Sequence, residues 1–176
     1  MRALDDISRE ELKDYLAKGW LTHDGMWFYS VYKEFGADVA NRLNKEAIRQ
    51  NSYIEIGRAR RVFGVENKKF DSFEELTEFL QKALELTLPQ SIFSKGHFSV
   101  VSKNVVHWEW ENKACFAFKG MERLGIAHKY KCGVIYRIEC WFDALRVKYT
   151  TNPKIDNCLM AEKGYCSGDF IFYFNT

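Results

Sequence analysis

The hydrophobic period of this chain changes once, at Gly96, and that change limits the folds open to it. Before it, apolar residues recur three and four apart. After it, His97 to Val101 and Val105 to Glu111 are rich in β-branched and aromatic residues and read as strands. Helices followed by strands predict an α+β fold, with N-terminal helices packed on an antiparallel sheet of about four strands. The 176 residues read as a single domain, with residues 1–90 as the mainly helical half and 91–176 as the sheet plus two helices.

Local signals divide the helical half. Ser8 and Glu11 form a capping box, and Leu12, Tyr15 and Leu16 continue at helical spacing to Gly19. Asp24 is placed to cap a second helix, whose stripe of Trp27, Phe28, Val31, Tyr32 and Phe35 ends at Gly36. A third helix, from about Ala37 to Phe63, should turn Val39, Ala40, Leu43, Ala47, Ile54 and Gly57 inward. Arg58, Arg60 and Arg61 then suit the negative end of its dipole. Ser72 and Glu75 repeat the capping box for a fourth helix ending near Pro89.

In the second half Lys103 and Asn104 form the turn of a hairpin. One face of its second strand carries Val106, Trp108 and Trp110, and the other carries His107 and Glu109. Helices are expected over Ala114 to Leu124 and Gly133 to Val147. A final hairpin follows, Ile155 to Ala161 and Asp169 to Phe174, joined by EKGYCSG, with both faces of its last strand covered.

Lys+Arg 26 against Asp+Glu 24 leaves a net charge of +2, too balanced to imply nucleic acid or an acidic membrane as partner. The acidic start MRALDDISREE and the lack of a membrane-length apolar run predict a soluble cytoplasmic protein. In that compartment five cysteines point to metal or thiol chemistry rather than disulfides.

Cys158 and Cys166 would flank the tip of the final hairpin and meet across it, as half of a tetrahedral zinc site. Cys132, at the start of a helix whose dipole favours a thiolate, is the third candidate ligand. Cys140 lies eight residues along the same helix, about 12 Å away at 1.5 Å per residue, too far to share the ion. Cys115, His128 and Asp156 remain open as the fourth ligand. Small buried hydrophobes would account for the same cysteines without any metal.

IDNCLMAEKGYCSGDFIFYF, with Cys132 before it, resembles the C-terminal signature of the vinyl-4-reductase-type small-molecule-binding domains. These domains form the sensor part of phenol- and xylene-responsive regulators and share a superfamily with haem nitric-oxide-binding proteins. The resemblance implies that Cys132, Cys158 and Cys166 hold a structural zinc beside an aromatic-ligand pocket. The chain departs from that pattern at Ile155, where the sensors place a glutamate. The same tail resembles the L-2-amino-thiazoline-4-carboxylic acid hydrolases. THDGMWF, HWEWENKACFAF and YRIECWFDAL resemble an uncharacterised archaeal and anaerobic-bacterial family near that hydrolase, over nearly the whole chain.

Two functions follow as expectations. In the first, the chain binds a small-molecule ligand in a pocket walled by aromatics such as Trp27, Trp108, Trp110, Phe116, Tyr136 and Trp141, with no turnover. In the second, it is a hydrolase acting on a C–N bond, with His23, Asp24, His107, Glu109 or Cys140 near the chemistry. Either admits a homodimer through the N-terminal helices. His23–Asp24 also has a plainer reading, with Asp24 as a cap. His107–Glu109 can equally be an ordinary exposed sheet pair, and Glu139 and Asp143 can be neutralised by Arg137 or Lys131. No P-loop, dinucleotide fingerprint, HExxH or GxSxG is present.

Overall fold

Two interrupted layers, helices on one side and a sheet on the other, meet along a single apolar face. The computed structural model describes residues 2–174. After a short 3-10 turn come α1 (Arg9–Val62), α2 (Phe73–Thr87), α3 (Gln90–Phe93), β1 (Gly96–Ser102), β2 (Val105–Trp110) and α4 (Phe116–Arg123). They are followed by α5 (Val134–Leu145), β3 (Lys148–Asn152), α6 (Leu159–Lys163) and β4 (Cys166–Tyr173). The strands form one antiparallel sheet in the order β1-β2-β4-β3. The expected α+β class, with helices and a four-stranded antiparallel sheet, is what the fold has.

The three expected N-terminal helices are instead one helix broken at a single residue. Ser8 caps α1 reciprocally with Glu11, and the helix runs through Gly19 and Gly25 without interruption. Asp24 therefore lies inside a helix and caps nothing. Each glycine costs about 1 kcal/mol against alanine in a helix, a deficit that packing outweighs. The break comes at Gly36, with φ 82° and ψ 176°, a conformation open essentially to glycine alone. The two arms then face each other across a cavity lined by Asp24 and Phe28 from one arm and Asn44 and Ile48 from the other. Gly36→Ala should cost about 1–3 kcal/mol even though the added methyl group meets only open space, because the strain is in the backbone. A urea midpoint measured with an unchanged slope would check this.

The inner stripe of the second arm also differs from expectation. Ile54 and Gly57 face solvent and Ala47 lines an open cavity, whereas Asn41, Asn44, Ser52, Ile56 and Ala59 are buried. Asn41 explains part of this polarity. Its amide donates to the carbonyls of Ala37 and Lys129, and its oxygen accepts the Lys131 N–H, so it pins the loop before α5 to α1. At α2, Ser72 accepts the Glu75 N–H, but the Glu75 carboxylate pairs with Lys68, so the expected box is half formed. Arg60 closes the end of α1 by donating to the Val65 and Lys68 carbonyls.

The β1–β2 hairpin forms as expected, with Asn104 at φ 64° in its turn. The final hairpin does not. Cys158 is the N-cap of α6, and β4 pairs with β2 and with β3, a strand in a stretch for which the sequence pattern gives no assignment. Phe142 of α5 holds the centre of the core, packing edge-on to Tyr149, Phe170 and Phe172 at centroid distances of 4.9, 5.0 and 5.0 Å. Trp108 fits this face because Gly168, directly opposite on β4, has no side chain. The other sheet face is open. Tyr173 is 52% exposed, so the expectation of a strand covered on both faces fails.

Candidate functional site: a four-cysteine centre beside a lined cavity

Four chain segments end at one small cavity of about 10 Å³, and each brings a cysteine to its wall. Cys115 is the N-cap residue of α4, Cys132 lies two residues before α5, Cys158 is the N-cap residue of α6, and Cys166 opens β4. All four are buried and reduced. Local backbone geometry explains the placement, since the first N–H groups of a helix have no partner within it. The Phe118 and Ala117 N–H groups beside Cys115, that of Ile135 beside Cys132, and those of Ala161 and Met160 beside Cys158 favour the charged form of each sulfur.

At Cys166 the donor is an indole. The buried Trp108 N–H has no fully formed hydrogen bond, and it favours the charged form of the adjacent Cys166 sulfur. Such donors stabilise thiolates. Burial works against them. It pushes the Cys115 thiol up to about 12 and the Cys166 thiol up to about 11, and it raises Cys132 and Cys158 as well. The dipole argument for a lowered Cys132 is thus outweighed by desolvation. Four buried sulfurs with N–H donors aimed at them suit a divalent cation that replaces their protons. Among the described residues no group of three or more His, Cys, Asp or Glu is arranged to hold a metal ion, so the donor chemistry fits more closely than the spacing.

The open question of a fourth ligand narrows by position. Asp156 is exposed and paired with Lys45 and Lys131, at 2.9 and 3.0 Å, and His128 faces solvent. Ile155, where the sensors carry glutamate, forms part of the apolar wall, which leaves Cys115 as the polar partner at the cavity. Cys140 stands apart, as helix geometry requires, beside Tyr136 and Asp143. Burial pushes its thiol up to about 11, which makes it a poor nucleophile at neutral pH.

Ala117, Tyr130 and Val134 separate the cysteines from a much larger cavity of about 810 Å³ and line both. Its apolar walls come from both arms of α1, from α4 and from α5, including Phe28, Ile48, Phe116 and Met121. Asp24, Asn44, Asn51 and Arg137 are its inner polar groups. Arg137 is fixed by a two-pronged ion pair with Glu55 and by Trp20, over whose ring it lies at 4.9 Å. Glu55 also accepts the Trp141 indole N–H at 2.8 Å. A second cavity, of about 530 Å³, lies between α2 and the sheet and is walled by Trp141, Phe142, Phe170 and Phe172.

The structure distributes the expected pocket residues. Phe116 lines the larger cavity, Trp141 the sheet-side one and Trp110 the cysteine cavity. Trp108 is wholly buried in the core, Trp27 is 42% exposed, and Tyr136 lies under Lys45 at the surface. Of the expected catalytic residues, His23 is exposed and Asp24 enters the larger cavity. His107 and Glu109 share the open sheet face. His107 bonds Asp169 at 2.7 Å through the register of β2 and β4, rather than Glu109. Glu139 accepts from Thr151, and burial raises its carboxyl. Arg137 and Lys131 pair with Glu55 and Asp156, so neither neutralises it.

Sequence reading missed Asn44, Glu55 and Arg137. For Asn44 and Glu55 the signal was a polar stripe at helical spacing, Asn41, Asn44, Asn51 and Glu55, three, seven and four residues apart inside a helix otherwise read by its apolar stripe.

A family model described as a family of unknown function (DUF6125) matches residues 5–158. No curated protein and no solved structure matches the chain.

Proposed function

The chain belongs to the DUF6125 family, and from that premise we propose that it is a small-molecule-binding domain with a structural zinc site, related to the vinyl-4-reductase-type domains. The observation that carries this reading is the shared wall. Cys115, Cys132, Cys158 and Cys166 surround one small cavity, and Ala117, Tyr130 and Val134 form both its boundary and that of an apolar cavity of about 810 Å³. That volume lies within the range of about 300–1,000 Å³ typical of ligand sites. When bound, zinc would supply a cross-link between the starts of α4, α5, α6 and β4. The chain's own residues join the two cavities: Tyr130 packs edge-on to Phe28 at 5.4 Å and its hydroxyl accepts the Gly133 N–H just before α5.

Protein purified without added zinc should contain close to one equivalent of the metal. Cobalt(II) exchanged into it should give the intense thiolate-to-metal absorption of a tetrahedral site. Less than about a tenth of an equivalent of any transition metal would overturn the zinc site. For the cavity, Gly120→Leu is the test, because Gly120 lines it and a Cβ there meets nothing within 4 Å. The variant should abolish binding of an apolar naphthalene dye without loss of fold, and undiminished dye binding would refute the assignment.

A second reading, a C–N hydrolase, is favoured by one observation. Asp169 holds His107 at 2.7 Å, in register with Ser99 on the neighbouring strand. Such a pair can orient an imidazole for general base work. Ammonia release from small amides, lost in His107→Ala with the fold intact, would support it.

A further inference from the structure

Three of the four inner polar groups of the larger cavity, Asp24, Asn44 and Asn51, have no side-chain hydrogen-bond partner among the described residues, and together they are rich in acceptors. Asn44 is only 4% exposed and lines the cavity, yet its carboxamide has no hydrogen-bond partner among the described residues. Its polar atoms open onto the cavity, where water or a ligand would pair with them. Asp24, half-buried on the opposite arm of α1, makes no hydrogen bond or ion pair among the described residues. The nearby cation, Arg137, already forms a two-pronged pair with Glu55. Of the two inner charged groups, Arg137 is therefore matched by Glu55 and Asp24 has no partner within hydrogen-bond distance among the described residues.

Other charged groups at this cavity are Lys18, Lys119 and Arg123. Lys18 pairs with Asp14 at 2.6 Å, and Lys119 and Arg123 are exposed, where solvent screens them. Burial raises the Asp24 carboxyl and outweighs the charges of Arg137 and His23, which act the other way.

We infer that this cavity takes a small molecule with an apolar, flat body and a cationic nitrogen head, an ammonium or amidinium. Asp24 would be the counter-ion, and the Asn44 and Asn51 oxygens would accept the remaining N–H groups. The inference rests on the reading of this cavity as a ligand site. The body would lie against Phe28, Phe116 and Tyr130, whose ring faces also attract a cation. No covalent step is involved.

Three planar probes of nearly equal shape separate head-group charge from shape: benzamidine, benzamide and benzoate, titrated calorimetrically at neutral pH. Benzamidine should bind at least about tenfold more tightly than benzamide, with benzoate weakest, since a charge-assisted hydrogen bond is worth at least that factor. Asp24→Asn should bring benzamidine down to about the affinity of benzamide, and Asn44→Leu should weaken both. Equal affinities for all three probes, with the dye still binding in a manner abolished by Gly120→Leu, would overturn the cationic head and leave the ligand site standing. Tighter benzoate binding would do the same. Failure of every probe and of the dye would overturn both.

Discussion

Gly168→Ala should lower the thermal midpoint by roughly 6–12 °C. A methyl group there would stand 2.3 and 2.5 Å from Trp108 ring carbons and 2.6 Å from the Asn152 carbonyl oxygen, all below any real contact distance. Neither neighbour can yield. Trp108 is wholly buried against Phe170, ring centroids 4.5 Å apart, and Asn152 is backbone paired through the β3–β4 ladder. Overpacking of this kind costs about 3 kcal/mol, and each kcal/mol moves the midpoint by about 2–4 °C at this chain length. Gly120→Ala is the control. It sits in α4 with nothing near its Cβ and should stabilise by up to about 1 kcal/mol. Calorimetry on both variants separates a steric cost from a general intolerance of substitution, and an unchanged midpoint for Gly168→Ala would show that Trp108 is not locked.

Removal of Glu55 should cost about 3–5 kcal/mol. Its carboxylate is 17% exposed and serves two donors at once, the 15%-exposed Arg137 guanidinium and the buried Trp141 indole. Glu55→Ala would strand a mostly buried cation, and breaking one side of such a pair costs far more than exchanging both for apolar groups. Glu55→Gln should fall between, since it still offers Trp141 an acceptor. The paired replacement Glu55→Leu with Arg137→Met should recover much of the loss in a denaturation series. The same change should loosen the first arm of α1, because Arg137 holds Trp20. Hydrogen exchange of residues near Trp20 is the readout, and unaltered protection there would refute the link.

Local chemistry was legible residue by residue. The Ser8–Glu11 box, the break at Gly36, the turn at Asn104 and the inward face of Trp108 and Trp110 each depend on neighbours within a few positions. Helix geometry alone also separated Cys140 from the other cysteines. Asp24 misled because capping explains an aspartate before an aromatic stripe completely, and the continuation of α1 through Gly19 and Gly25 is decided by packing, not propensity. The polar inner stripe of α1 escaped because a periodic reading looks for apolar residues. Asn41 and Glu55 are inside for partners 88 and 82 residues away.

The amino-acid sequence by itself determined the class of fold, the start of α1 and its break, and the separation of Cys140 from Cys132, because period, caps and helical rise act over short distances. Tertiary structure alone decided the rest. Lys148–Asn152 is a strand only because β4 lies beside it. Cys158 reaches the cavity from a helix cap instead of a hairpin, and Cys115 joins it from 17 residues before Cys132. Asp24 faces Asn44 only because the chain folds back at Gly36. Each of these is a meeting of segments distant in sequence, where long-range burial and pairing outweigh local preference.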